Sequence, residues 1–452
     1  MKKIASIFKN KEIMGRIVFT LAILLVFRIG STITVPGVTI NDVSFDNESI
    51  FALMNLLGGG ALQSFSIFSL GVSPYITASI VIQLLSMDVL PALSELSKQG
   101  QTGRKKSEMA TRYLTILLGA AQAYGVVKSM EASSYVTLSG SGFWYYAYIV
   151  TILVAGGMLV MWLGDQITTK GLGNGISVVI FAGIVASYPK QIETAFINYL
   201  RWPIVSGVNS SIVEGVLRFG LYIVAFFVII AFVTFIELSK RKIPVQHAGK
   251  SGGTAKMSQA SFLPIKINSA GVMPVIFASS IMMTPMVIAS FIEGADTSAE
   301  WLNIFQSSAM TTMPWFNGAT WKMPWGLIIY LILIVAFSYI YSNLQINPEQ
   351  MADNFQKNGS YIPGIRPGNE TERYVRKVLN RVTGIGAVAL AIIAALPVVL
   401  TLTGLLPQEL ALGGTGLIIV VGVALELNAQ IDGLLAGKSF EQASTAAAKR
   451  GY

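Results

Sequence analysis

Apolar stretches of membrane-spanning length recur ten times along the chain, near residues 17–36, 71–88, 110–130, 143–163, 174–189, 214–236, 271–292, 324–343, 382–401 and 412–428. A helix rises about 1.5 Å per residue and the hydrocarbon layer is about 30 Å thick, so roughly 20 apolar residues reach across it. The pattern predicts an all-α, polytopic membrane protein of ten transmembrane helices, the fifth shorter than the rest. The opening residues, MKKIASIFKNKEIMG, are basic and weakly amphipathic, and no small-residue cleavage site follows the first apolar stretch. This predicts an uncleaved cytoplasmic amino terminus.

The polar positions between the stretches test that topology. With residues 1–16, 87–112, 164–172, 237–270, 344–381 and 426–452 assigned to the cytoplasm, that face holds 26 of the 32 Lys and Arg but only 13 of the 23 Asp and Glu. A missed or surplus span would scramble such a bias, which is the one that orients helices in membranes. Both termini are then expected on the cytoplasmic side.

An internal repeat adds architecture. SLGVSPYITAS at 69–79 and SAGVMPVIFAS at 269–279 agree at seven of eleven positions, 200 residues apart, and open the second and seventh stretches. The repeat unit is therefore five spans, and an odd count places the two copies in opposite orientations. Two inverted five-helix halves are expected, 17–190 and 214–428, joined by an external linker at 191–213, preceded by the segment 1–16 and followed by a cytoplasmic tail at 429–452. In carriers built this way the pathway runs between the halves.

Composition removes most other classes. The chain is 53% hydrophobic and 12% charged, where soluble proteins are about 25% charged. With no cysteine and one histidine, His247, in a loop stretch, it lacks thiol nucleophiles and disulfides, and no HExxH or phosphate loop is present. GLGNGIS at 171–177 follows no strand, so its glycines read as a tight turn and close helix packing rather than a dinucleotide site. No enzyme activity and no cofactor are expected. Arg28 lies inside the first stretch, while Asp165, Glu237 and Glu426 fall at cytoplasmic ends, which leaves little for ion coupling.

The chemistry that remains sits in the two long cytoplasmic loops, 237–270 and 344–381, each with six basic residues, among them Arg241 and Lys242 in the first. Ribosomal RNA, an acidic protein or anionic lipid would each suit such loops. In YIPGIRPG at 361–368, Pro363 and Pro367 fix the backbone around Arg366 and glycines bracket it, the design of a presented side chain.

At this point the residues carry a resemblance. LLGGGALQSFSIFSLGVSPYITASIVIQLL (56–85), ELSKQGQTGRKK (95–106), WLGDQITTKGLGNGIS (162–177), INSAGVMPVIFASS (267–280), NPEQMADNFQKNGSYIPGIRPG (347–368) and LGGTGLIIVVGVALE (412–426) resemble the SecY family, in order, from about residue 16 to 430. The resemblance implies a protein-conducting channel of the bacterial cytoplasmic membrane, moving unfolded preproteins outward and opening sideways between the second and third helices on one side and the seventh and eighth on the other. It implies a pore ring of Val72, Ile76, Ile176, Ile180, Ile276 and Ile419, with valine at 72 where the family mostly has isoleucine, which predicts a slightly looser gasket. It also implies a plug near 56–68, hinged on Gly58, Gly59 and Gly60 and leading into Ala61 and Leu62. The implied partners are the small membrane subunits SecE and SecG, the SecA ATPase, the ribosome, preprotein signal sequences and anionic lipid, with Arg241, Lys242 and Arg366 as contacts and ribosomal RNA within reach of the basic loops. The tail after Gln430 departs from the family pattern. Two other readings stay open on sequence alone: an accessory SecY paralogue for a few dedicated substrates, and an ion-coupled small-molecule transporter.

Overall fold

A computed structural model describes residues 6–8, 10–41, 55, 58–86, 101–132, 135–140, 142–197, 199, 209–247, 261–289, 304–305, 323–402 and 411–450. Parts of the expected plug (56–57), of the linker (200–208), of the first cytoplasmic loop (248–260) and of several span ends lie outside the described residues.

The protein is mainly helical. The helices are α1 (Lys11–Gly30), α2 (Ser73–Leu85), α3 (Gln101–Ala132), α4 (Phe143–Lys170), α5 (Gly175–Phe196), α6 (Asn209–Leu238), α7 (Met273–Ala289), α8 (Trp325–Gln345), α9 (Pro348–Lys357), α10 (Asn369–Leu402) and α11 (Ala411–Arg450). Among the described residues seven helical spans are long and apolar enough to cross a membrane, and α2 and the start of α7 are apolar but shorter. Each of the ten apolar stretches falls on one of these helices, and the polar α9, buried through Pro348 and Ala352, is an addition.

The first helix ends earlier than the apolar run. Ser31 stops it, its N–H bonding to Phe27 O at 2.9 Å and its hydroxyl to Arg28 O at 2.7 Å. The chain then runs extended, forming an isolated bridge between Thr34 and Ser66, and β1 (Val38–Ile40) pairs antiparallel with β2 (Val136–Leu138).

A second sheet corrects the purely helical expectation. β3 (Lys240–His247) pairs with β4 (Ser261–Lys266) and with β5 (Ser360–Tyr361), so the basic stretch after α6 is a strand and His247, expected in a loop, sits opposite Ser360. Alternation explains the strand: Ile243 and Val245 are buried while Lys242, Pro244 and Gln246 face outward. Ile243 and Ile265 join Ile362, Val375, Leu379 and Val382 in a small core of their own at the foot of α10.

The two copies of the repeated motif fold alike. Gly71 and Gly271 both take positive φ, +54° and +64°, which favours glycine. The Ser69 hydroxyl donates to Ser66 O at 2.5 Å and that of Ser269 to Lys266 O at 2.7 Å. A Cβ on Gly156 in α4 would overlap the carbonyl of Ile67, and one on Gly386 in α10 would overlap that of Ile267, so each copy lays an equivalent carbonyl on a glycine. In the 171–175 turn, Gly173 has φ +82° and Asn174 caps the Ile176 N–H at 3.2 Å, as the packing reading of GLGNGIS expects.

Gly156→Ala and Gly386→Ala should each destabilise the protein by about 1–3 kcal/mol, the usual cost of overpacking a fixed backbone contact. Gly220→Ala in α6, where nothing lies within 4 Å, should leave the thermal unfolding midpoint in detergent unchanged or slightly raised.

Candidate functional site

The six expected ring residues come from four separate parts of the chain. Val72 is the residue before the first turn of α2 rather than inside it, Ile76 lies in α2, Ile176 and Ile180 in α5, Ile276 in α7 and Ile419 in α11. Pro74 in the first turn of α2 fixes the start of that helix, and the Ile76 N–H bonds to Val72 O at 3.0 Å. All six belong to one continuous apolar cluster; five are buried, and Ile176 is half-buried at the packing seam of α5 on Gly164.

The segment before α2 enters the same cluster. Ala61, Leu62, Phe65 and Phe68 are fully buried in it, and the Phe68 ring stacks on Phe27 of α1 with centroids 5.9 Å apart. Gly58 and Gly59 are buried, and Gly59 (φ +70°) and Gly60 (φ +85°) turn the chain in a way side chains resist. Gly59 lies against Gly183 of α5 so closely that a Cβ on Gly183 would stand 2.7 Å from the Gly59 Cα. Phe65 holds φ +38°, a strained conformation for an aromatic residue.

Beside this centre, α7 rests on both α2 and α3. A crevice between α2, α7 and α8 is lined by Ile80, Gln83, Leu84, Phe277, Phe337 and Tyr341. Phe277 meets Phe337 and Tyr341 edge-on, at 6.0 and 5.8 Å, fastening α7 to α8. Gln83 turns onto Ser79 of its own helix at 3.0 Å.

Arg241, Lys242 and Arg366 are all exposed on the small unit formed by the three-stranded sheet, α9 and the foot of α10. Gly364 and Gly368 carry positive φ on either side of Arg366, and Ile365 N–H closes a turn onto Ile362 O at 3.1 Å. Thr371 donates to the Arg366 carbonyl at 2.9 Å, so the loop is held through the backbone. Among the described residues the Arg366 guanidinium has no hydrogen-bond or ion-pair partner.

One polar contact escaped the sequence reading. Asn268, inside the INSAGVMPV motif, donates to the Glu237 carboxylate at the end of α6 (2.5 Å) and to Gly271 O (2.9 Å). Both side chains are buried, and Glu237 is the one buried carboxylate among the described residues. An asparagine followed by the positive-φ glycine of a helix-opening turn was the available signal, but its partner is 31 residues away. The other carboxylates named from the sequence are accounted for differently: Asp165 takes Arg112 of α3 at 2.7 Å, at the surface.

Known proteins resemble this chain in sequence and in fold. The SecY family model matches residues 66–428. The protein translocase subunit SecY of Mycoplasma capricolum is 43% identical over 445 residues, covering 96% of this chain and 89% of the relative. Two solved structures share the fold: one described as the structure of a protein conducting channel (TM-score 0.66, 17% identity, 92% of this chain and 91% of that one) and Sec61 in the canine ribosome-channel complex (TM-score 0.62, 16% identity, 92% and 91%).

Asn268→Leu leaves the Glu237 carboxylate buried without its donor, and should cost roughly 3 kcal/mol. Glu237→Gln keeps an acceptor for Asn268 and should cost far less, a ranking that thermal unfolding of the two variants would check.

Proposed function

The chain belongs to the SecY family, and from that membership we propose that it is a protein-conducting channel that moves unfolded preproteins across the bacterial cytoplasmic membrane and releases apolar segments sideways into the bilayer. The observation that carries the site reading is the single buried cluster in which residues of α2, α5, α7 and α11 meet the segment 58–68. A channel for chains of arbitrary sequence cannot select by hydrogen bonds, and polar walls would hold water and conduct ions. Aliphatic side chains dewet an empty constriction and bind no passing residue strongly. In this reading Val72, Ile76, Ile176, Ile180, Ile276 and Ile419 form the ring, Gly58 to Leu62 lead the plug, and the aromatic seam of α7 on α8 keeps those two helices together as the side of the channel opens against α2 and α3.

The halves 17–190 and 214–428 are proposed as inverted copies of one five-helix unit, for a total of ten spans. Support comes from the shared turn geometry at Gly71 and Gly271 and from the paired contacts of Ile67 on Gly156 and Ile267 on Gly386. The sheet unit carrying Arg241, Lys242 and Arg366 would face the cytoplasm, where SecA, the ribosome or anionic headgroups meet it. SecE and SecG would pack on the outer helices. Both termini would lie on that cytoplasmic side, near which Lys438 of α11 pairs with Glu12 of α1. An ion-coupled carrier is disfavoured because Glu237 is already engaged by Asn268.

Replacing Ile276 or Ile419 with Asn puts an amide into the constriction and lowers the cost of wetting it. Small-ion conductance in planar bilayers should rise, and preproteins with weak signal sequences should pass more readily; unchanged conductance in both variants would remove these residues from the ring.

Arg366→Glu should abolish motor-driven transport and Arg366→Lys should impair it, because a guanidinium offers paired bonds that an ammonium cannot copy. Thermal stability and the ionic seal should persist in both. Normal transport by Arg366→Glu would exclude the residue from docking.

A further inference from the structure

Arg28 is the charge that the apolar pattern leaves inside the first stretch, and its surroundings give it a task. An arginine in the last turn of a helix ordinarily turns back on that helix's free carbonyls. Here those are served by others: the Ser31 hydroxyl takes Arg28 O at 2.7 Å and the Thr32 hydroxyl takes Ile29 O at 2.8 Å. Arg28 Nη1 instead donates to Gly59 O at 2.8 Å, 31 residues further along. Among the described residues its guanidinium pairs with no carboxylate.

The segment it touches is tied down unevenly. Its rear is fastened to the extended chain that follows α1 by main-chain bonds, Val35 N–H to Phe65 O and Ile67 N–H to Ile33 O, both 3.0 Å, with the Ser64 hydroxyl on Ser31 O at 2.9 Å. The front, Gly59 and Gly60, has no such bonds to α1. Gly60 N–H and Gln63 N–H turn inward to Asn55 of the same segment. Among the described residues, Ala61 and Leu62 are buried among the helices and Lys190 of α5 donates to Gln63 at 3.4 Å, while Gly59 itself is held by its close approach to Gly183, which offers contact and no hydrogen bond, and by the bond from Arg28.

We propose that Arg28 is the latch of the resting channel: its bond to the Gly59 carbonyl pins the leading glycines of the plug against α5, and breaking that bond loosens Gly59 and Gly60 while residues 64–67 remain anchored on the chain that follows α1. This rests on reading segment 58–68 as the plug. The glycines follow from it, since only a residue without Cβ lets Gly59 press on Gly183 and turn its carbonyl toward Arg28. Arg28 is a positioning residue here and touches no substrate.

The test measures resting ion current of the full-length protein in planar bilayers, for Arg28→Met and Arg28→Lys, in the complete chain and in a chain lacking residues 58–66. Loss of one charge-assisted bond should raise the open probability of Arg28→Met about tenfold, and Arg28→Lys, which keeps a cationic donor, should restore part of the seal. The thermal unfolding midpoint should not move. In the shortened chain Arg28→Met should add nothing to the leak that the deletion itself causes. A wild-type resting current in Arg28→Met, beside a leaking deletion, would overturn the latch and leave the plug standing. Equal added leak in both backgrounds would also overturn it, by placing the action of Arg28 elsewhere, such as on lipid headgroups. A deletion that does not leak would overturn the plug reading and the latch with it.

Discussion

Backbone that is not helical carries polar groups that hydrocarbon cannot satisfy, so it enters a membrane protein only where protein atoms answer each of those groups. The segment from Gly58 to Val72 lives under that constraint. Its Ser66 and Ser69 side chains are buried and bond to the segment's own backbone, the extended chain after α1 supplies main-chain partners, and Arg28 reaches its leading carbonyl. Room for it comes from the helices around it, for the backbone through Gly156 in α4 and Gly183 in α5, and for the Phe68 ring through Gly30 in α1. The placement of α1, α4 and α5 around the centre is thus fixed by what this one irregular stretch requires.

Much of the architecture was legible because a bilayer imposes a length and a charge rule that leave marks in single residues. The ten stretches and the repeat could be read directly, and so could the presentation of Arg366 between two prolines. Strands were not. Lys240–His247 alternates as a strand should, yet Pro244 within it and the basic flanks argue for a loop, and its pairing with Ser360 spans more than a hundred residues of chain. The pairings of Gly156 with Ile67 and of Asn268 with Glu237 were invisible for the same reason. A glycine or an asparagine announces that something approaches closely, and only the fold says what. The ring reading rests on family resemblance alone, since an isoleucine in an apolar helix looks the same whether it faces lipid, a neighbour or the centre.

The protein has two main apolar cores with different burdens. The large one joins the helices and the segment 58–68; the small one, around Ile243, Ile362 and Val375, holds the three-stranded sheet and the Arg366 loop to the foot of α10. They meet at the base of the hairpin, where Ile267 N–H bonds to Ser239 O at 2.9 Å and Asn268 grips Glu237. Five residues after Asn268 α7 begins, carrying Ile276. Hydrogen-bonded, buried groups therefore connect the sheet to the start of α7.

Phe68 and Asn268 occupy matching places in the two copies of the repeat, one residue before each repeated motif begins. The first stacks on an aromatic ring of α1 and the second binds a carboxylate of α6. Exchanging the two residues between the copies would set a phenyl ring against the Glu237 carboxylate and an amide against the Phe27 ring, leaving each without its partner. The two copies of the motif are not interchangeable parts, and their division of labour is written in a single aligned position.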